Sequence, residues 1–185
     1  MTRPALASAV LAAFLAGCGL TADVQVERAC ARLPQQSFLP AVGVPGLPPG
    51  TFTTPPIPFT FGGTIPDMKQ KGVTDAQLLF DSLDLTSSAN LKFIQTLTLS
   101  VLPPTGSAVS KKPIATYTRP TGAEPTTIRA TGDGTNLVDY LDAGSFNLEV
   151  AVQGDPNQLP TSSWTVDTQL CVDAKATVDY IQAAN

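Results

Sequence analysis

Fifteen acidic side chains and not one histidine define the chemistry open to this chain. Without an imidazole there is no Ser-His-Asp or Cys-His relay, no histidine general base and no mononuclear metal centre of the common kind. Lysine can replace histidine beside a nucleophilic serine, but no Ser-x-x-Lys occurs, nor does Gly-x-Gly-x-x-Gly or the phosphate-loop pattern. Carboxylates are what remains. Asp81 and Asp84 lie three apart on a stretch that reads as strand, so they are expected to face opposite sides and not to cooperate. Asp167, Asp173 and Asp179 are evenly spaced and would share a face only along one unbroken strand. A solvated sheet face accounts for them better. Asp133, Asn136 and Asp139, near the turn Thr131-Gly132-Asp133-Gly134-Thr135-Asn136, are oxygen donors that calcium would accept. The EF-hand spacing is missing, however, and turn and cap hydrogen bonding before a short helix explains them more simply. A hydrolase with acids gathered from distant loops stays an alternative for which no site can be named. The expectation is a non-catalytic chain that needs no cofactor.

Any such residues must be positioned by strands. Phe146, Leu148, Val150 and Val152 alternate with Asn147, Glu149 and Gln153, the clearest half-buried strand in the chain. Phe93, Leu97, Leu99 and Val101 repeat the pattern, as do Trp164, Val166, Leu170 and Val172. Residues 78–85, 114–118, 126–130 and 174–181 are further candidates, and turn residues separate them at Pro103-Pro104-Thr105-Gly106, Thr121-Gly122 and Gly154-Asp155-Pro156-Asn157. Short strands at this spacing, with no long 3.6-residue period, predict an all-β antiparallel β-sandwich. One short helix fits at Leu137-Val138-Asp139-Tyr140-Leu141, with Asn136 as N-cap and Gly144 as stop.

Residues 34–66 carry nine of the seventeen prolines, a density that excludes helix and central strand alike. They read as an extended Pro-rich arm, with residues 67–185 forming the rest of a single sandwich domain. The arm is also apolar. Val44, Leu47, Phe52 and Ile57 suit a docking segment for a partner protein, whereas a loop draped over the sandwich, with Phe52, Ile57 and Phe59 tucked in, is the plainer reading.

Asp142-Ala143-Gly144-Ser145-Phe146-Asn147-Leu148 resembles the Asp-x-Gly-x-Tyr-x-Cys stretch that enters the F strand of immunoglobulin-like domains. The chain departs from that pattern twice. Phe146 lacks the hydroxyl of a tyrosine corner, and Leu148 replaces the cysteine of the usual inter-sheet disulfide. The resemblance implies an immunoglobulin-like architecture and no particular binding function.

The N-terminus carries one positive charge, Arg3, then a small and apolar run from Ala5 to Ala16. The run falls short of the roughly 20 residues that span a bilayer and reads as an export signal. It closes on Leu15-Ala16-Gly17-Cys18, which resembles the lipobox of bacterial envelope lipoproteins. The resemblance implies that residues 1–17 are a signal peptide and that Cys18 becomes a diacylglyceryl-modified N-terminus. It also implies stable attachment to a membrane through two or more acyl chains. Gly19, in place of the Asp that retains many such proteins at the inner membrane, points to the outer membrane. Residues 18–33 are then the lipidated N-terminus and a first strand.

With Cys18 spent on lipid, Cys30 and Cys171 are left as a pair in an oxidising compartment, and a disulfide between them is expected. Loss of Arg3 with the signal moves the net charge from −4 to −5, which argues against nucleic acid as a partner. The sequence thus points to a lipid-anchored envelope protein with a binding or structural role. An apolar carrier with its ligand between the sheets is one alternative, and it would show itself as a cavity lined by strand residues.

Overall fold

A computed structural model describes residues 21–39, 50–60, 68–142 and 145–179. Among them run nine strands: β1 (Thr21–Phe38), β2 (Gly50–Thr53), β3 (Ile57–Thr60), β4 (Val73–Ser87), β5 (Ile94–Leu102), β6 (Lys112–Thr118), β7 (Thr127–Gly132), β8 (Ser145–Gly154) and β9 (Trp164–Asp179). They form one sheet in the order β1-β9-β4-β7-β6-β5-β8-β2, with β3 also paired to β8. Every pairing is antiparallel. This is the all-β, sandwich-like architecture that the period-two pattern predicts.

The sheet folds over on itself at its weakest ladder, where β6 and β7 share only Ala115↔Gly132 and Thr116↔Thr131. β1, β9, β4 and β7 make one layer, and β6, β5 and β8 make the other. The inner faces supply the core: Leu78, Phe80 and Leu83 of β4, Leu97, Leu99 and Val101 of β5, Leu148 of β8, and Leu170 and Val172 of β9 are all buried. At the fold-over Gly132 has no alternative, since a Cβ there would lie 1.8 Å from the Phe80 carbonyl oxygen.

The second layer ends where β2 and β3 lie one after the other along β8, pairing with residues 151–154 and 145–148. The Pro-rich arm therefore contributes edge strands. Pro58 fits within β3 because an edge strand has one side with no ladder to supply. Pro34 is accommodated similarly. β1 runs on past Leu33 to Phe38, and its register shifts between Leu33 and Gln36, where a missing N–H costs no ladder bond.

Two expectations need correction, one for a strand and one for a helix. β9 is a single 16-residue strand, so the break placed between Val172 and Ala174 does not exist. The helical expectation shrinks to one 3-10 turn at Val138–Tyr140, and Leu137, not Asn136, holds its N-cap position. Asn136 still serves the turn, since its side-chain oxygen accepts from Val138 N–H at 3.2 Å. Gly144 lies outside the described residues.

Candidate functional site

The outer face of the first layer gathers the charges. The register of β4 against β9 shifts between Phe80 and Ser82, and the extra residue of that bulge is Asp81. A bulge resets the alternation, so Asp81 and Asp84 come to one face, contrary to the opposite-face expectation. There they meet two guanidinium groups. Arg28 lies 3.5 Å from Asp81 and 3.7 Å from Asp84, and Arg129 lies at the same two distances. Ser82, fully buried, donates to Asp81 at 3.0 Å. Two cations balance two anions, so the group is an ion-paired lattice over the sheet and not an acid pair poised for proton transfer.

Beside this lattice Cys30 and Cys171 face each other as a directly paired residue couple of β1 and β9, with their sulfurs 2.06 Å apart in a disulfide. It ties the edge strand to the interior of the layer across 141 positions of sequence.

The evenly spaced aspartates of β9 have a structural use that spacing alone did not disclose. Each of the two bulges in β1 lies opposite one of them. Where the register shifts between Val26 and Ala29, Arg28 adopts a positive φ of 49° and its N–H donates to Asp173 at 2.7 Å. Where it shifts between Leu33 and Gln36, the Gln35 amide donates to both carboxylate oxygens of Asp167, at 3.1 and 3.0 Å. At the first bulge a carboxylate thus supplies the backbone acceptor that the ladder does not, and at the second it holds a side chain of the bulged segment.

The candidate cation ligands are engaged in turn contacts. Asp133 accepts from Thr135 N–H at 2.9 Å. Burial raises the Asp133 pKa, but the Thr135 hydroxyl and amide, with Lys112 nearby, outweigh it and hold the carboxyl below its ordinary value. Asn136 accepts from Leu78 N–H at 3.0 Å and donates to the Ala76 carbonyl at 3.2 Å, stitching the turn to β4. Asp139 is exposed on the 3-10 turn. Among the described residues no three His, Cys, Asp or Glu side chains are grouped to hold a metal.

The feature that stands out lies between the layers. A cavity of about 420 Å³ is walled by Leu83 and Leu85 of β4, Val166 and Leu170 of β9, Leu99 of β5, and Leu148 and Val150 of β8. Its two ends are the sheet's two edges: Leu33, Pro34, Gln36 and Phe38 from β1 on one side, Thr54 and Ile57 from the β2–β3 edge on the other. Thr168 completes the wall, which contains no charged side chain. The continuous sheet closes the sandwich along β7 and β6, so this cavity lies at the side where the two edge strands face each other without pairing.

One end of the cavity carries an exposed aromatic, Phe38. Among the described residues the exposed large hydrophobics are Phe38, Leu39 and Phe52. Phe52 is paired directly with Val152, two positions on from Val150, and so points to the inter-layer side. Phe38 stacks on Trp164 with ring centroids 4.3 Å apart, and Trp164 meets Phe93 edge-on at 5.6 Å. Of the proposed docking residues, Ile57 lines the cavity and Phe52 is exposed on β2, while Val44 and Leu47 lie outside the described residues, as does Cys18. The cavity escaped residue-by-residue reading because its wall is built from the same alternating aliphatics as an ordinary core. Compared with known proteins, the chain matches no family model and no curated protein sequence.

Proposed function

We propose that this chain is a lipid-anchored, non-catalytic envelope protein that binds an apolar ligand between its two β-layers. The observation that carries the reading is the uncharged cavity of about 420 Å³, whose lining comes from six strands and reaches both sheet edges. It falls within the usual size range of small-molecule sites, roughly 300–1,000 Å³. The anchor is Cys18, by its place at the end of the export signal, and the outer membrane is the location that Gly19 favours. The ion-paired outer face and the disulfide support the same reading as rigid framework around the cavity.

The test is binding of the environment-sensitive dye N-phenyl-1-naphthylamine to the purified full chain. Saturable fluorescence enhancement that is weakened in Val150→Phe, and more so in the double variant Leu85→Phe/Val150→Phe, supports the reading. Absence of any saturable binding by the folded protein overturns it and leaves a structural role.

A further inference from the structure

Resting on that reading, we infer that the ligand is a single unbranched acyl chain, inserted tail-first between the β1 edge and the β2–β3 edge with its polar head left outside. Three features of the cavity select this chemistry. The wall is aliphatic, built mainly of Leu, Val and Ile; its one aromatic, Phe38, sits at the rim and already stacks on Trp164. A planar ring system would therefore find no stacking partner deep inside, whereas a flexible chain needs none. The polar groups present, from Gln36, Thr54 and Thr168, are neutral, and two of them are already engaged: Gln36 donates to the Pro34 carbonyl at 3.0 Å, and the Thr54 hydroxyl accepts from Val150 N–H at 3.1 Å. No cation waits inside for a carboxylate or phosphate, so a charged head has no reason to enter.

Volume then sets the length. A methylene occupies about as much space as a water molecule in the liquid, about 30 Å³, so 420 Å³ takes about 14 methylenes. Each methylene removed from water strengthens binding about fourfold until the space is filled. Affinity should therefore climb along a homologous series and level off near 14 carbons.

A free fatty acid and a monoacyl phospholipid share this chemistry, and the experiment separates them. The full chain carrying Cys18→Ser, so that no covalent lipid of a neighbouring molecule competes, is titrated with fatty acids of 8 to 18 carbons and with lysophosphatidylcholines of matching length, all below their micellar concentrations. Quenching by brominated chains of Trp164, the one tryptophan of the chain, reports their arrival at the Phe38 end of the cavity. A steep rise that levels near 14 carbons, with the plateau shortened by about two carbons in Val150→Phe, is the expected result. Equal affinities for the two head groups assign recognition to the chain alone, and a preference for one names the source. Dye binding without any dependence on chain length, or with tighter binding of a rigid polycyclic probe, overturns the acyl-chain inference while leaving the broader reading intact. Loss of dye and chain binding together overturns both.

Discussion

Cys171 is fully buried whereas Cys30 sits on an exposed edge strand, so their bond is what holds the edge to the layer behind it. Cutting it with Cys30→Ala, or by reduction, is expected to lower stability by about 2–5 kcal/mol, read from chemical denaturation with and without reductant. At Asp133 the effect is small and depends on pH. Its folded pKa is depressed, so its contribution is present above the unfolded value and disappears as pH falls through the folded one. Asp133→Asn should thus cost less than about 1 kcal/mol at neutral pH, a gap that closes in acid, below the ordinary carboxylate range. These residues differ in how legible they were. The cysteine pairing followed from the assignment of Cys18 to lipid, and the turn role of Asp133 from its glycine neighbours. The Asp81–Asp84 contact with Arg28 and Arg129 did not follow, because a bulge leaves no mark in a two-residue period.

At the scale of elements, alternating hydrophobicity located β5, β6, β7 and β8 nearly to the residue. It failed where strands are irregular. β1, expected to end by residue 33, runs on to Phe38 through a bulge and a proline, and β9 runs unbroken where two strands, 164–172 and 174–181, were expected. The explanation for both is the same pair of aspartates. Asp173→Ala leaves the Arg28 N–H without its acceptor and should cost about 1–3 kcal/mol. Asp167→Ala loses only side-chain contacts of Gln35 and should cost less. Hydrogen exchange of the β1 amides distinguishes the two, since Asp173→Ala should speed exchange around Cys30 and Asp167→Ala only beyond Leu33. The fold-over is more brittle than either bulge. Gly132→Ala drives a methyl into the Phe80 carbonyl and is expected to cost about 3 kcal/mol or more, measured as loss of folded yield or a lowered denaturation midpoint.

For the whole molecule, the location proposal is separable from the fold. Cys18→Ser should leave the sandwich intact and shift the protein from the membrane fraction to soluble or unprocessed material; a free Cys18 thiol in an uncleaved wild-type chain, found by mass spectrometry, would defeat the anchor. If the anchor holds, the length of β1 acquires a meaning. The strand begins at Thr21, three positions after Cys18, and first touches the cavity at Leu33, twelve residues further on. At about 3.3 Å per residue that is about 40 Å of strand. Three residues span at most about 10 Å, and an acyl chain reaches about half the hydrocarbon thickness of a bilayer, about 15 Å. The anchor is thus too short to holster itself. On the two proposals together, its own lipid does not fill the cavity of the same molecule, and a chain that lodges there comes from a separate lipid.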